Sequence, residues 1–267
     1  MRGRPQVRQG VIGSTLASAA AFAVACVIVA QAVPLAAQGN QGGGAAQATP
    51  RPAPARDLTG VWMKRTPPGV ESFNGATWTP GVPPPLTAWG LEQYKGNRSN
   101  NTGEYTLDET NDPVLIKCYP PGVPRVYFHP YPFEIIQTPK AVLQVFEYDH
   151  VLRRFWGDGR ELPTDPDLLW MGNSIGRWAD DSTFVVETVG FDERTWIDRA
   201  GTPHSDQLKV TERFRRVAFD RLELDFIMED AVALARPWTA TGYFELQPEW
   251  EMGEISCSGD YLEWPGA

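Results

Sequence analysis

The sequence predicts an all-β protein: an antiparallel up-and-down barrel or strongly curved sheet of about nine or ten strands, with a Pro-rich irregular N-terminal segment and one short helix. Three observations carry that expectation. From residue 133 onward, short runs rich in β-branched and aromatic residues follow one another, which is the composition of strands. Most connections between them are tight turns, such as Pro139-Lys140, Asp149-His150 and Gly157-Asp158-Gly159, and tight turns join antiparallel neighbours. No long amphipathic helix separates the runs, so parallel βαβ units are not expected.

Taken in order, the chain begins with Arg2, Arg4 and Arg8 before an apolar run from Leu16 to Ala30, and Ala30-Gln31-Ala32 offers small residues for cleavage. Residues 1–37 therefore read as a secretory signal, cleaved after residue 32 or 37, with an uncleaved anchor as the alternative. Cys26 lies within the apolar run and is read as part of the signal. Residues 38–56 are Gly, Ala, Gln and Pro with almost nothing to bury, the composition of a flexible linker. Residues 57–267 then form a single β-barrel-like domain.

Within that domain, 58–63 is a short strand whose Trp62 can plug one end of a β core. Residues 64–132 are rich in Pro and Gly, and proline cannot donate to a ladder, so irregular structure is expected. The exception is 86–94, where Thr87 can cap a short helix that docks through Trp89 and Tyr94. The strand candidates that follow are 133–138, 141–147, 151–156, 174–178, 183–189, 207–217, 222–228, 239–246 and 254–257.

The first 56 residues hold five arginines and no acid; removing those five from 24 basic residues leaves 19 against 33 Asp and Glu, a formal charge of −14 for the domain. Such a surface repels phosphate backbones, so nucleic acid is not an expected partner. The membrane is met only through the alternative anchor, and the domain is expected to be a monomer or weak oligomer. Outside the signal only Cys118 and Cys257 remain, and an even count in an exported domain predicts a disulfide between them.

Alternation separates the two faces of each strand. Leu222, Leu224, Phe226 and Met228 share one face, while Leu208, Val210, Glu212 and Phe214 share another, so Glu212 is predicted to enter the apolar side. A buried carboxylate needs a cationic partner. Arg153 and Arg154 alternate in 151–156, so either choice of interior face supplies one; Glu147, in phase with Leu143 and Val145, is a second acid for such a cluster.

Of the three histidines, His204 follows Pro203 at the end of the long polar loop 192–205 and is a candidate general acid or base, oriented by Asp198 or Glu212. His150, Arg154, Trp178, Trp196 and Arg213 are candidate ligand-binding residues around the same mouth. The loop itself reads as a lid or as an end cap with Trp196 as its plug. No HExxH or paired-Cys spacing occurs, so no metal and no cofactor are expected, and no GxSxG elbow or phosphate-binding glycine loop is present.

The segments EIIQTP, DGR, GNSIGRW, PHS and ERFRR, at Glu134 to Pro139, Asp158 to Arg160, Gly172 to Trp178, Pro203 to Ser205 and Glu212 to Arg216, together with His150, carry a resemblance. The chain resembles, over residues 113 to 257, a family of exported bacterial β-rich proteins whose activity is uncharacterised. ELP follows DGR where the family more often has a histidine and a proline, and this departure weakens any multi-histidine metal site. The reading overall is an exported barrel that binds a small, partly apolar molecule in an aromatic-lined, lipocalin-like mouth. The alternatives are a hydrolase or isomerase using the same mouth and an envelope protein-interaction module.

Overall fold

A computed structural model describes residues 51–66 and 83–257. The expected signal at 1–37 and the linker up to residue 50 lie outside the described residues. Nine strands close into a barrel: β1 (Gly60–Arg65), β2 (Phe133–Gln137), β3 (Ala141–Phe146), β4 (Leu152–Trp156), β5 (Asn173–Trp178), β6 (Thr183–Val189), β7 (Lys209–Ala218), β8 (Arg221–Glu229) and β9 (Trp238–Leu246). Each strand pairs with its sequence neighbour, and β9 returns to β1 with Trp62 opposite Leu246.

One pair departs from the antiparallel pattern. β4 and β5 are parallel, in register at Phe155 with Ser174 and Trp156 with Ile175. A closed ring with an odd number of strands cannot alternate direction throughout, so one parallel neighbour pair is obligatory. Residues 157–172 make the connection without a helix, returning outside the barrel from one end to the other as a strap. The last strand candidate, 254–257, contributes only an isolated bridge between Ile255 and Tyr148. It is a clip: Gly253 N donates to Glu147 Oε2 at 2.8 Å, and Cys257 forms a disulfide with Cys118 across a Cα separation of 5.4 Å.

The hairpin end of the barrel holds the β2–β3, β5–β6 and β7–β8 turns. There Trp62 is fully buried and its indole N–H donates to Leu58 O at 2.8 Å. Residues at the end of the expected linker dock there too: Phe219 N donates to Arg51 O at 3.1 Å and Arg56 N to Asp181 O at 2.8 Å.

The opposite end is capped by 83–132, the 190–208 loop and the β8–β9 connection. Helix α1 (Ala88–Gly96) is capped by Thr87, whose side chain accepts from Gly90 N at 3.0 Å. The helix docks through Gly90, where a Cβ would stand 2.3 Å from Ala233 O. Trp89 is 38% exposed and lines, with Trp196, Pro203 and His204, a pocket of about 260 Å³ at this end, while Tyr94 is half-buried. A second, single-turn helix, α2 (Pro113–Ile116), is capped by Asp112.

The 3₁₀ turn Arg125–Phe128 enters the barrel from this end and is wholly buried. The Tyr127 ring centroid lies 5.2–6.4 Å from those of Phe133, Phe146, Phe214, Phe226 and Phe244, which project from five different strands. The lumen is thus a packed aromatic core. Gly176 completes it from β5, since any Cβ there would lie 2.4 Å from the Phe184 ring.

Candidate functional site

The buried polar centre of the barrel is built from residues whose alternation points them inward. Arg153 on β4, Gln144 on β3, Thr188 on β6 and Glu212 on β7 converge on Tyr127, and all are buried. Arg153 Nη1 and Nη2 donate to Glu212 Oε1 and Oε2 at 2.9 and 2.6 Å, a bidentate pair. Arg153 Nη1 also donates to the Tyr127 hydroxyl at 2.6 Å, which in turn donates within reach of Glu212 Oε1 at 2.6 Å and Gln144 Oε1 at 2.8 Å. Burial holds the Tyr127 phenol well above its usual range, so it stays protonated. Burial also opposes the charge of Arg153, yet the Glu212 carboxylate outweighs it and raises the guanidinium above its ordinary value. Glu147 is not part of this cluster. It lies on the outer face with Leu143 and Val145, because Val142, Gln144 and Phe146 take the inward phase of β3.

The three acid/base candidates do not converge. Asp198 is buried and occupied by its own loop, accepting from Ala200 N at 2.9 Å, Thr202 N at 3.0 Å and Thr202 Oγ1 at 2.8 Å. His204 is buried in a different network. Its Nδ1 meets the Ser205 carbonyl at 2.9 Å, an atom that only accepts, so Nδ1 carries the proton and Nε2 takes the Thr195 hydroxyl at 3.2 Å. Burial lowers the His204 pKa below its ordinary value. Among the described residues, no hydrogen bond joins His204 to Asp198 or Glu212. The loop 192–205 is an end cap, with Trp196 buried beneath the Arg125 guanidinium at 5.7 Å.

The ligand-binding candidates are likewise dispersed. His150 is exposed in the β3–β4 turn at φ 50°, Arg213 is exposed on the outer face of β7, and Trp178 packs on Phe184 at the hairpin end, with ring centroids 5.2 Å apart. Trp178 borders an opening of about 450 Å³ at the hairpin end, Trp196 and His204 border one of about 260 Å³ at the capped end, and Arg154 borders a larger one on the flank.

That opening is a cleft of about 710 Å³ on the flank of the barrel, between the strap and the outer faces of β4 and β5. It exists because the parallel seam is short: beyond its two registered pairs, β4 and β5 diverge toward the capped end. Leu152, Trp156, Leu162, Leu169, Met171 and Ile175 give it apolar walls. Leu152 and Leu169 are about half exposed, at 52% and 47%. Arg154 and Arg160 both lie over the Trp156 ring, at 4.9 and 3.8 Å from its centroid. Arg160 is paired with Asp158 at 2.6 Å, whereas Arg154 has no carboxylate partner among the described residues. Trp170 is held in the wall by Tyr119, 4.6 Å away, and by the Arg194 guanidinium at 4.4 Å. The strap is pinned where Leu169 N donates to Gly190 O at 2.9 Å and Asp192 N to Leu169 O at 3.1 Å.

Sequence reasoning missed this cleft apart from Arg154. The signal was present in Leu168-Leu169-Trp170-Met171, an apolar run inside an otherwise polar connection. Among the described residues, no group of three or more His, Cys, Asp or Glu is placed to hold a metal ion, and no helix is long and apolar enough to cross a membrane. Comparison of the chain with family models, curated proteins and solved structures finds no match.

Proposed function

We propose that this is an exported barrel protein that binds a small, largely apolar molecule bearing an acidic group, and that it does so in the flank cleft under the strap. The observation that carries the reading is the combination, in one cavity of about 710 Å³, of aromatic and aliphatic walls with the unpaired cation of Arg154. Ligand pockets of this size are commonly apolar with a few convergent polar groups that fix orientation. Exposed leucines lining a concavity would be covered by such a ligand, and Arg154 would meet its anionic end. The lumen offers no comparable space, since Tyr127 and its aromatic shell fill it. Support for export comes from the N-terminal run and from the Cys118–Cys257 bond, a linkage favoured in oxidising compartments.

The test is a fluorescence titration with 1-anilinonaphthalene-8-sulfonate, an apolar anion, read through the probe and through quenching of Trp156 and Trp170. Saturable one-to-one binding is expected. Arg154→Gln should weaken it about tenfold, as loss of one charge-assisted contact does, and Leu152→Glu should abolish it. Binding that survives both substitutions unchanged overturns the reading.

A further inference from the structure

Among the described residues, the capped end of the barrel holds more positive charge than its ion pairs neutralise. Lys64, at the end of β1, and Arg199, in the 192–205 loop, are both half-buried, and neither forms an ion pair with a described residue. Lys64 Nζ makes one hydrogen bond, to Phe128 O at 3.3 Å, leaving two N–H groups, and the Arg199 guanidinium has no hydrogen-bond acceptor among the described residues. The carboxylate of Asp112 is already occupied: its oxygens accept from Arg125 Nη1 and Nη2 at 3.0 and 2.6 Å and from Val114 N at 3.0 Å. Next to Phe128, His129 is 6% exposed, its ring stacked on Tyr148 with centroids 4.3 Å apart, and its Nε2 is buried with no hydrogen-bond partner.

We propose that this end holds an oxyanion-binding site, in which Lys64 and Arg199 are the donors for a carboxylate or phosphate group beside the buried His129. The site stands apart from the flank cleft and does not depend on it. Half-buried cations without counterions in a protein of net charge −9 are costly unless an anion completes them. The neighbours bear this out. Burial lowers Lys64, and Arg199 lowers it further; Arg199 is lowered by burial and by Arg125, with Asp112 and Tyr148 opposing but not reversing the shift. His129 is held well below its ordinary value by burial and then by Arg125, Arg199 and Lys64. The remaining groups facing the cluster are Tyr148, Tyr131, Asp112 and Asp149. A bound anion would relieve the repulsion among the cations, and by linkage it would raise the His129 pKa while binding tightened as pH fell.

The chain has three histidines, so the experiment is imidazole NMR of ¹³C,¹⁵N-histidine-labelled protein titrated with sodium phosphate, with sodium acetate as a parallel arm, at ionic strength held constant by sodium chloride. Saturable movement of the His129 ring signals is expected, with its pKa rising by about one unit, while His150 and His204 stay still. Lys64→Gln and Arg199→Gln should each weaken the response about tenfold, and Lys64→Arg should largely keep it. Unmoved His150 and His204 signals in each variant establish that it is folded. Saturation by phosphate alone or acetate alone identifies which oxyanion the site prefers. Failure of both anions to saturate His129, equal movement of all three histidines, or variants that respond like the parent would overturn the site.

Discussion

Arg153 and Arg154 are neighbours in sequence and opposites in environment. Arg153 points into the barrel, where it is 2% exposed and held by Glu212, Tyr127 and Thr188. Arg154 points out onto Trp156 at the edge of an open cleft. The difference shows how this fold divides its labour. The interior is closed by aromatic packing and fixed by a buried ion pair, while the break in the antiparallel pattern opens a flank cleft at which the second arginine meets apolar surface.

The largest effect is expected at the buried pair. Glu212→Ala should destabilise the fold by about 3–5 kcal/mol, because it leaves the Arg153 guanidinium uncompensated, whereas Glu212→Gln, which keeps hydrogen-bond acceptance, should cost less. Urea denaturation of the two variants checks this, and equal small losses would mean that the interior is not fixed by the pair. Neither substitution should change ligand affinity at the flank.

Next in size is the disulfide, which ties the cap at Cys118 to the clip at Cys257 over a sequence separation of 139 residues. Its reduction should lower stability by about 2–4 kcal/mol. Alkylation of unfolded, unreduced protein should label neither cysteine, and two labelled thiols would contradict the bond.

The smallest effect concerns pH. Both His129 and His204 are pushed below their ordinary values by burial, so each folded-state pKa lies under its unfolded one. The unfolded chain then binds more protons below about pH 6.5, and stability must fall as pH drops through that value. Each histidine contributes a slope of up to about 1.4 kcal/mol per pH unit. Thermal melts between pH 7 and 5 should show this decline before the carboxylates titrate, and a stability flat across that range would show that neither imidazole is held neutral by the fold.

How much of this was legible in the sequence follows from where periodicity exists. The alternation of Leu222 to Met228 and of Val210 to Phe214 gives the inward faces directly, and it places Glu212 inside. It cannot choose between Arg153 and Arg154, since both phases of β4 are half apolar. Nor can it find Tyr127, which fills the lumen from a short 3₁₀ turn in a Pro-rich stretch that has no period to read. The parallel seam was hidden for a different reason. Its strap looks like an ordinary loop until the ring closes with an odd number of strands. The acid/base candidates were drawn together by their residue types, yet the fold occupies Asp198 with its own loop and His204 with Thr195 and Ser205.

Hydrogen exchange read by mass spectrometry decides whether the ligand is bound in the flank cleft or in the lumen. With saturating 1-anilinonaphthalene-8-sulfonate, added protection is expected in peptides covering 152–175, with those covering 125–128 and 209–218 unchanged. Protection of the 125–128 turn and β7, with the strap unaffected, would place the ligand inside the barrel and contradict binding in the flank cleft.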